Sequence, residues 1–468
     1  MPDALKVSQL APVLKKISMD PEDMSSFRPI SNLQFISKTI ERVASPQLID
    51  YLMENKIYPN LQSAFRKGYS TETALLRVQN DLLEALDSGH QALLVMLDFS
   101  AAFDTIDHQI LLGRLKSRFG ICGTALSWFR SYLTSRTQYV KVNGKTSAST
   151  PLLQGVPQGS VLGPLLFSLY VSPLEDIFTA HDIDAMIYAD DTQLYIILKK
   201  HDSDTAIQRL EHCLHDIQAW CLQNKLVLND GKTEAIYIHS AYAKSYPAPP
   251  SVYIGDSLIK IKTEVRDLGA IVDENLSLKS HVNSICKTAY IALRNIGSIR
   301  KYLDQSTAER LVHAFVTSRL DYCNSLLYEL PQREIEKLQH VQNTAARIVS
   351  RSNKREHITP IWKELHWLPI QSRIQFKLGL IVFKALNNLA PSYLQNLLKI
   401  HQPSRCLRSA SKNLLQEPRT ITKTYGDRTF RKAGSAFWNS LPDELRLETS
   451  VDIFKNKLKT LLFNQAYS

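Results

Sequence analysis

The stretch that decides the fold is LLVMLDFSAAFDTIDH, residues 93–108. Its unbroken apolar run ends at Asp98, and such a run is typical of a buried strand. A carboxylate at the end of a buried strand is costly unless it has a partner, and a divalent cation is one such partner. The stretch therefore predicts a strand over residues 92–98, a charged site at its end and a helix over residues 105–119.

A second acidic stretch is IYADDTQLY, residues 187–195. Apolar residues precede the Asp190-Asp191 pair, and a run of polar and apolar residues follows it. This pattern predicts a hairpin with both acids at its turn. Because neighbouring side chains on a strand point to opposite faces, we expect only one acid of the pair to converge with Asp98 and the other to be peripheral. The alternative for an isolated Asp-Asp pair is an ordinary turn or helix cap.

Two strands that bring carboxylates to one point make a site that suits Mg²⁺, which prefers oxygen ligands and substrate phosphates. Two such ions ~3.5–4 Å apart can activate a 3′ hydroxyl and stabilise a leaving pyrophosphate.

The third stretch is GVPQGSVLGPLLFSLY, residues 155–170. Gly155 and Gly159 allow the backbone to approach a ligand closely. Gln158 offers a hydrogen-bond donor and an acceptor beside Gly159, and Ser160 can cap the helix that follows. Taken alone, the stretch is also consistent with an ordinary junction between a loop and a helix.

Length and composition exclude several classes of protein. The chain has 468 residues, of which 44% are hydrophobic and 22% charged, so it predicts folded domains, about three by length. No run of eighteen apolar residues occurs, so we expect no membrane span. The N-terminus lacks a signal-peptide pattern, and no targeting signal is seen, so we expect an intracellular protein. Six cysteines without a CxxC pair indicate neither a disulfide framework nor a zinc ribbon.

Positive charge is concentrated in the C-terminal third. Residues 301–468 carry 26 basic and 14 acidic side chains, and residues 351–432 carry 16 and 4. Such an excess favours a polyanionic partner, most simply nucleic acid. Two alternatives stay open: a solvated basic surface, and a tail that packs on the preceding helices and only stabilises the fold. Candidate contacts for nucleic acid are Lys354, Arg355, Arg405 and Arg408.

Along the chain the stretches at 93–108, 155–170 and 187–195 resemble, in order and spacing, motifs A, B and C of reverse transcriptases. The similarity extends to FRPISNLQFISKTIERV (27–43), QSAFRKGYSTETAL (62–75), LNDGKTEAI (228–236), RDLGAIVDENL (266–276) and ELHWLPIQSRIQFKL (364–378). Together these blocks resemble the polymerase of non-LTR (LINE-type) retrotransposons of the jockey and chicken-repeat kind. The chain opens at KVSQLAPVLKK, so we expect an N-terminally truncated copy.

The resemblance implies an α+β right-hand polymerase with fingers, palm and thumb, followed by a mainly α-helical basic C-terminal segment. The implied domains are a reverse transcriptase domain of fingers and palm (1–272), a helical thumb (273–325) and the C-terminal segment (326–468). The periodicity of apolar residues predicts helices over 279–301, 306–321, 333–350 and 372–388.

The resemblance also implies roles for individual residues. The catalytic and metal-holding acids would be Asp98, Asp190 and Asp191, with the carbonyl of Phe99 completing a shell for two Mg²⁺ ions, or Mn²⁺ in their place. The nucleotide-binding residues would be Arg28, Phe103, Gln158, Gly159 and Lys232, with Phe103 as the gate against a ribonucleotide's 2′ hydroxyl. The primer grip would include Arg266, Leu268 and Gly269, and Arg66 would contact template.

The implied function is RNA-directed DNA synthesis with an RNA template, a DNA primer or target and dNTP, without a membrane. An endonuclease would come from elsewhere, and target priming would place the chain in the nucleus, with the cytoplasm as the alternative. One rival is an RNA-dependent RNA polymerase, although these usually carry a second Asp where Phe103 stands. The other rival is a catalytically inactive nucleic-acid-binding remnant of the element.

Overall fold

The computed structural model describes residues 1–16, 19–100, 102–199, 201–242, 251–402 and 413–467. Strands and helices alternate in the first 273 residues, in this order: β1 (Val7–Leu14), β2 (Phe27–Leu33), α1 (Phe35–Glu54), α2 (Thr71–Asp87), β3 (Gln91–Leu97), β4 (Phe99–Ser100), α3 (His108–Ser117), α4 (Gly123–Leu133), β5 (Arg136–Val142), β6 (Lys145–Thr146), β7 (Thr150–Leu152), α5 (Gly163–Val171), α6 (Leu174–Ala180), β8 (Asp184–Tyr188), β9 (Asp191–Leu198), α7 (Ser203–Gln223), β10 (Val227–Leu228), β11 (Glu234–Ile238), β12 (Tyr253–Ile254), β13 (Ser257–Leu258), β14 (Lys260–Lys262), β15 (Glu264–Asp267) and β16 (Ala270–Asp273).

The later part of the described chain is helical. It contains α8 (Lys279–Ile299), α9 (Gln305–Val312), a π-helical turn (His313–Thr317), α10 (Ser318–Leu320), α11 (Gln332–Ser350), α12 (Ile358–Glu364), α13 (Ile370–Leu386), α14 (Ser392–Gln395), α15 (Phe430–Ser440), α16 (Asp443–Arg446) and α17 (Val451–Tyr467). The predicted mixed α+β body followed by a mainly helical part is confirmed. None of the described helices is long and apolar enough to cross a membrane.

A five-stranded sheet in the order β14-β11-β3-β9-β8 forms the palm. Its central strands alternate between two cores, because successive side chains of a strand point to opposite faces. Leu93, Val95 and Leu97 of β3 pack into the core under α3, α5 and α7, whereas Ala92 and Leu94 pack toward α2. The predicted buried strand is thus present, and the structure shows that its residues pack on both faces of the sheet.

A second sheet forms the fingers, in the order β2-β1-β5-β6 with β7 against β5. Strand β1 runs antiparallel to β2 and parallel to β5. The loop that leads into α5 is attached to this sheet, since the amide of Ser31 on β2 donates to the carbonyl of Gln158 at 2.7 Å.

The thumb and the C-terminal segment share one apolar core. Buried residues of α8, α11, α13, α15 and α17 belong to a single cluster, which includes Leu293, Val341, Phe383, Trp438 and Phe454. Stacked rings of Phe383 and Phe454, 4.2 Å between centroids, join α13 to α17. The predicted thumb and C-terminal segment, which meet at residues 325 and 326, therefore pack against each other through one continuous core.

The C-terminal segment is also attached to the palm through α2. Asp87, at the end of α2, accepts hydrogen bonds from the amides of Ile421 and Thr422. Asn80 accepts one from the amide of Arg431, and Tyr425 packs into the core on the α2 face of the sheet. These contacts favour the alternative in which the tail stabilises the fold.

The periodicity predictions for the helices agree with the structure within two residues for α8, α11 and α13. The predicted helix over 306–321 differs, because it is interrupted at His313–Thr317 by a π-helical turn. A π turn inserts one residue into the helical repeat, and apolar periodicity alone does not reveal it.

A chain that ends after residue 330 should lose the shared core. Burying one large apolar side chain stabilises a fold by ~1.5–3 kcal/mol, and the cut removes many such side chains from a domain whose stability is of order 5–15 kcal/mol. We expect the shortened chain to be insoluble, or to unfold at a much lower temperature in circular dichroism. The control is Lys354→Gln with Arg355→Gln, two exposed positions that should leave the unfolding temperature unchanged. An unchanged melting temperature in the shortened chain would contradict this packing.

Candidate active site

Strand pairing brings the acids of the first two stretches together. The register of β3 and β9 ends at the pair Leu97 and Thr192. One step further along both strands are Asp98 and Asp191, so these two acids occupy facing positions. Asp190 lies in the two-residue turn between β8 and β9, as the sequence predicts for a hairpin with both acids at its turn.

The two acids of the hairpin turn, Asp190 and Asp191, have raised pKa values. Desolvation raises the pKa of Asp190, and the charge of Asp98 raises it further, whereas Arg28 lowers it. Desolvation raises the pKa of Asp191 to about 6, with added contributions from Asp190 and Asp98. The Lys232 ammonium lies 3.6 Å from Oδ2 of Asp98, which is the nearest ion pair at the site in the described chain.

The expectation that one acid of the pair is peripheral stays a prediction. Alternation of side chains applies only where both residues belong to a regular strand. The chain turns at Ala189 and Asp190, however, so Asp190 is not part of a regular strand and the alternation starts only at Asp191. Both acids of the pair consequently interact with Asp98.

The donor set suits a divalent cation. Oδ2 of Asp98 is buried and has no hydrogen-bond partner in the described chain, which is unusual for a carboxylate. Among the described residues, however, no three acidic, His or Cys side chains are close enough to hold a metal ion together. Mg²⁺ is commonly held by one or two carboxylates plus waters and substrate phosphates, so facing carboxylates suffice for the protein's share.

The glycine-rich loop before α5 is built by close backbone contacts. Gly155 has φ +82°, and a Cβ there would lie 2.7 Å from the carbonyl oxygen of Asp104. Gly159 has φ +105° and lies against the carbonyl of Ser31. Any larger residue at Gly155 would push the loop away from the segment that follows Asp98.

The start of α5 is held by two side chains. Ser160 accepts a hydrogen bond from the amide of Gly163, the first residue of α5. The buried carboxylate of Glu41 on α1 accepts from the amides of Val161 and Leu162 at 2.6 and 3.0 Å. Ser160 thus bonds the first residue of α5, although the N-cap position itself is Leu162, which makes no side-chain cap hydrogen bond. Glu41, which the sequence did not single out, attaches the loop to the fingers.

The predicted nucleotide residues are distributed around this loop. Gln158 lines a cavity of about 520 Å³ beside the fingers sheet, and its amide donates to Asp104 at 2.8 Å. Phe103 is half-buried, with its ring 4.8 Å from that of Phe167 on α5. Lys232 and Arg28 lie close enough to Asp98 and Asp190, respectively, for charge interactions. The roles predicted for Gly159 and Phe99 involve their backbones. Gly159 lies against the carbonyl of Ser31 in the fingers, and Phe99 pairs with Leu228 across β4 and β10.

The predicted primer grip is the hairpin of β15 and β16. Leu268 and Gly269 form its two-residue turn with φ +42° and +90°. A leucine in the left-handed region is strained, and the carbonyl of Leu268 accepts a hydrogen bond from the Tyr322 hydroxyl at 2.6 Å. Arg266 is exposed on the same hairpin.

The guanidinium of Arg66 is occupied by its own loop. It lies 4.2 and 4.0 Å from the ring centroids of Tyr58 and Tyr69, and it donates to the carbonyls of Pro59 and Gln62. This arrangement favours a structural use of Arg66, and the template contact stays a prediction. Lys354 and Arg355 are exposed, whereas Arg405 and Arg408 lie outside the described residues.

Gln62 positions the acidic turn, and the sequence analysis did not single it out. Ala189, just before Asp190, has φ +59°, a conformation that L residues rarely adopt. The buried Gln62 side chain accepts from the amide of Ala189 at 2.9 Å and donates to its carbonyl at 3.3 Å. Both backbone groups of the strained residue are thereby satisfied. The block QSAFRKGYST contained Gln62, but only tertiary structure reveals its partner.

A buried acid–amide pair lies beneath the acids. Asp267 accepts a hydrogen bond from the Gln193 amide at 2.7 Å, and Gln193 is two residues after Asp191 on the same face of β9. Burial and the charge of Asp191 raise the pKa of Asp267 to about 8. Oδ2 of Asp267 and Oε1 of Gln193 are both buried without a partner in the described chain. A proton retained on Asp267 therefore spares the site a further negative charge at neutral pH.

Comparison with known proteins gives a consistent result. The family model described as reverse transcriptase (RNA-dependent DNA polymerase) matches residues 14–272. The probable RNA-directed DNA polymerase from transposon BS of Drosophila melanogaster is 27% identical, over 72% of this chain and 38% of that protein. The RNA-directed DNA polymerase from mobile element jockey of the same organism is 30% identical, over 58% of this chain and 30% of that protein.

The chain thus spans about a third of the length of these curated relatives. Among solved structures, the apo telomerase of Candida tropicalis matches with a TM-score of 0.43 at 12% identity, covering 79% of this chain and 63% of that one.

Replacing Gln62 should slow catalysis more than it harms folding. Gln62→Ala leaves the backbone groups of strained Ala189 without their partners, so the turn that carries Asp190 should shift. A displacement of about 1 Å in a reacting group can cost on the order of 10²-fold in rate. We expect a loss of that order in kcat for primer extension. The matched control is Gln342→Ala, a buried glutamine bonded to the Leu368 carbonyl far from the acids. Equal losses of rate in both variants would contradict the positioning role.

The raised pKa of Asp267 should appear as a pH-dependent stability. The folded chain keeps this proton up to about pH 8, whereas the unfolded chain releases it near 3.8, so stability is lost as the pH rises through this window. Asp267→Asn keeps the hydrogen bond from Gln193 and removes the titration. The melting temperature of the variant minus that of the wild type, in EDTA, should rise between pH 4 and 8. Asp256→Asn, at an exposed position, is the control for the loss of one carboxylate, and a constant difference for Asp267→Asn would contradict a buried neutral Asp267.

Proposed function

We propose, on the premise that this chain belongs to the reverse transcriptase (RNA-dependent DNA polymerase) family, that it copies an RNA template into DNA. The observation that carries the proposal is the acidic site at the end of β3. Asp98 and Asp191 face each other across two antiparallel strands, Asp190 stands in the adjoining turn, and Oδ2 of Asp98 has no hydrogen-bond partner in the described chain. Carboxylates placed close together repel one another and so do not stabilise the fold, whereas a site for divalent cations needs negatively charged ligands that lie close together.

Members of this family generally use divalent metal ions. We propose that Asp98, Asp190, Asp191 and the carbonyl of Phe99 hold two Mg²⁺ ions, or Mn²⁺. When bound, the ions would supply activation of the primer 3′ hydroxyl and stabilisation of the leaving pyrophosphate. The raised pKa values of Asp190 and Asp191 fit this use, because bound cations would offset the repulsion that raises them.

The surrounding side chains would hold the substrate. Arg28, whose charge already acts on Asp190, would contact the triphosphate, and Lys232 would assist pyrophosphate departure. Gln158 and Gly159 would line the nucleotide pocket.

Phe103 would be the gate against the ribonucleotide 2′ hydroxyl. Its half-buried ring against Phe167 supports this role, because a ring fixed by packing can exclude by bulk. Relative use of rNTP and dNTP by Phe103→Ala tests it, and unchanged discrimination would assign the ring to packing alone.

The proposed partners are an RNA template, a DNA primer or target and dNTP. Target priming would take place in the nucleus with an endonuclease supplied from elsewhere. We further propose the division into a reverse transcriptase domain (1–272), thumb (273–325) and C-terminal segment (326–468), with Arg266, Leu268 and Gly269 as the primer grip. Exposed Lys354 and Arg355 would add nucleic-acid affinity.

Primer extension with acid variants tests this function. The purified chain with Mg²⁺ should extend a DNA primer on an RNA template. Asp98→Asn and Asp190→Asn should each lower the rate on the order of 10³-fold or more, because each removes a charge that holds a cation. Asp191→Asn should also be severe, since Asp191 faces Asp98.

The matched control is Asp184→Asn, an exposed acid at the opposite end of the same hairpin, which should retain activity. A wild-type chain that binds primer–template but never extends it would instead identify an inactive nucleic-acid-binding remnant. Equal activity of Asp98→Asn and the wild type would contradict the assigned site.

A further inference from the structure

A cavity of about 430 Å³ lies where the thumb meets the C-terminal segment, between the π-helical turn after α9, α13 and α17. This volume is in the range of pockets that bind small ligands. None of its lining residues belongs to the acidic site or to the predicted primer grip. Most of the lining comes from the block ELHWLPIQSRIQFKL (364–378), which has no role in the proposed function.

Asn324 provides this cavity with a buried hydrogen-bond acceptor. The residue is 2% exposed, and its Nδ2 donates to Oδ1 of Asp321 at 3.4 Å. Because an ionised carboxylate can only accept, this contact orients the amide with its nitrogen toward Asp321. The other amide atom, Oδ1 of Asn324, is buried and has no hydrogen-bond partner in the described chain. A buried acceptor without a donor is costly, which indicates that a ligand supplies an N–H group.

The charged groups at the cavity leave two cations available to a ligand. The acids already have partners, since Asp321 accepts from Nε of Arg373 at 2.8 Å and Glu309 accepts from the Trp367 indole at 3.2 Å. Lys455 and Lys459 on α17 also line the cavity and are exposed. Neither lysine makes a hydrogen bond or an ion pair with the residues that the structure describes. Two such ammonium groups favour a ligand that carries phosphate.

Aromatic side chains supply flat apolar walls for the cavity. Trp367 is buried, Phe376 is half-buried and His366 is exposed. His366 has φ +52°, in the left-handed region that residues other than glycine rarely adopt, and it turns the chain between α12 and α13. The π-helical turn adds His313, and such turns are frequent at functional sites. Rings of this kind are the surfaces on which unpaired bases stack.

We propose that this cavity binds one unpaired nucleotide of an RNA strand whose base carries an amino group. The base would stack on the aromatic walls and donate from its amino group to Oδ1 of Asn324, and adjoining phosphates would lie on Lys455 and Lys459. Base contacts give selectivity and phosphate contacts give affinity, so the cavity would select which RNA the chain holds. That the strand is RNA rests on the proposed function, whereas the nucleotide site itself is tested by binding alone.

The test uses the full chain and two labelled RNA octamers, with binding measured by fluorescence anisotropy. An excess of unlabelled primer–template occupies the acidic site. One octamer alternates adenine and cytosine, and in the other a hydrogen replaces each amino group. We expect the wild type to bind the first about tenfold more tightly, as for one buried acceptor that gains its donor. Asn324→Leu, which removes the acceptor and nearly keeps the volume, should bind both octamers equally.

The lysines are tested by the dependence of affinity on salt. Lys455→Met and Lys459→Met should keep the preference between octamers, and each should reduce the slope of log affinity against log salt by ~0.7, as for one phosphate contact of a single strand. The matched control is Lys457→Met, an exposed lysine of the same helix that pairs with Glu448 at 3.0 Å and does not line the cavity. Its slope should equal that of the wild type. Because Lys455 and Lys459 are exposed, their variants remain informative if Asn324→Leu does not fold.

Three results would overturn the proposal. One is equal affinity of the wild type for the two octamers, and another is a salt slope that is the same in all three lysine variants. The third is displacement of the first octamer by AMP at concentrations close to the octamer's own, which would assign the cavity to a free nucleotide. If the preference is found but the wild type never extends a primer, the proposed function fails while the nucleotide site stands. If extension occurs without the preference, only the present inference fails.

Discussion

The antiparallel register of β3 and β9 is the constraint on which the site depends. It sets Asp98 opposite Asp191 at the open end of two strands that are otherwise buried on both faces. Like charges facing each other across strands are destabilising, and a slip of one residue would relieve them. The slip is prevented because it would turn Leu93, Val95 and Leu97 out of their core. The apolar core therefore holds the acids in a repulsive arrangement that a bound cation would relieve.

Neighbouring residues stabilise the turn and the loop that surround the acids. Gln62 satisfies the strained backbone of Ala189, and Glu41 and Gly155 hold the loop before α5 close to the segment after Asp98. Below the sheet, Asp267 keeps its proton and so adds no charge. The C-terminal segment reaches α2 through Asp87, which supports the other face of the palm sheet. The excess of basic residues in the C-terminal segment thus lies in a region that also contacts α2 and stabilises the fold.

Local patterns were sufficient to predict the elements that carry the acids. An apolar run that ends in Asp98 identified β3, and an Asp-Asp pair between apolar runs identified the β8–β9 hairpin. The same patterns could not decide which acid of the pair converges with Asp98, because alternation along a strand does not apply across a turn. Gln62 and Asp267 could not be predicted, since their partners Ala189 and Gln193 are fixed only by folding. Charge counting could not separate nucleic-acid contact from packing in the tail, because it does not register that Trp438 and Phe454 share the thumb's core.

The most direct test of the central claim is the melting temperature of the wild type and of Asp98→Asn, each measured in EDTA and in excess Mn²⁺. If the core holds the acids in repulsion that cations relieve, Asp98→Asn should melt at a higher temperature than the wild type in EDTA. In Mn²⁺ the wild type should gain stability according to its affinity for the ion, and the variant should gain much less. A variant that melts lower in EDTA and gains as much from Mn²⁺ as the wild type would contradict the account.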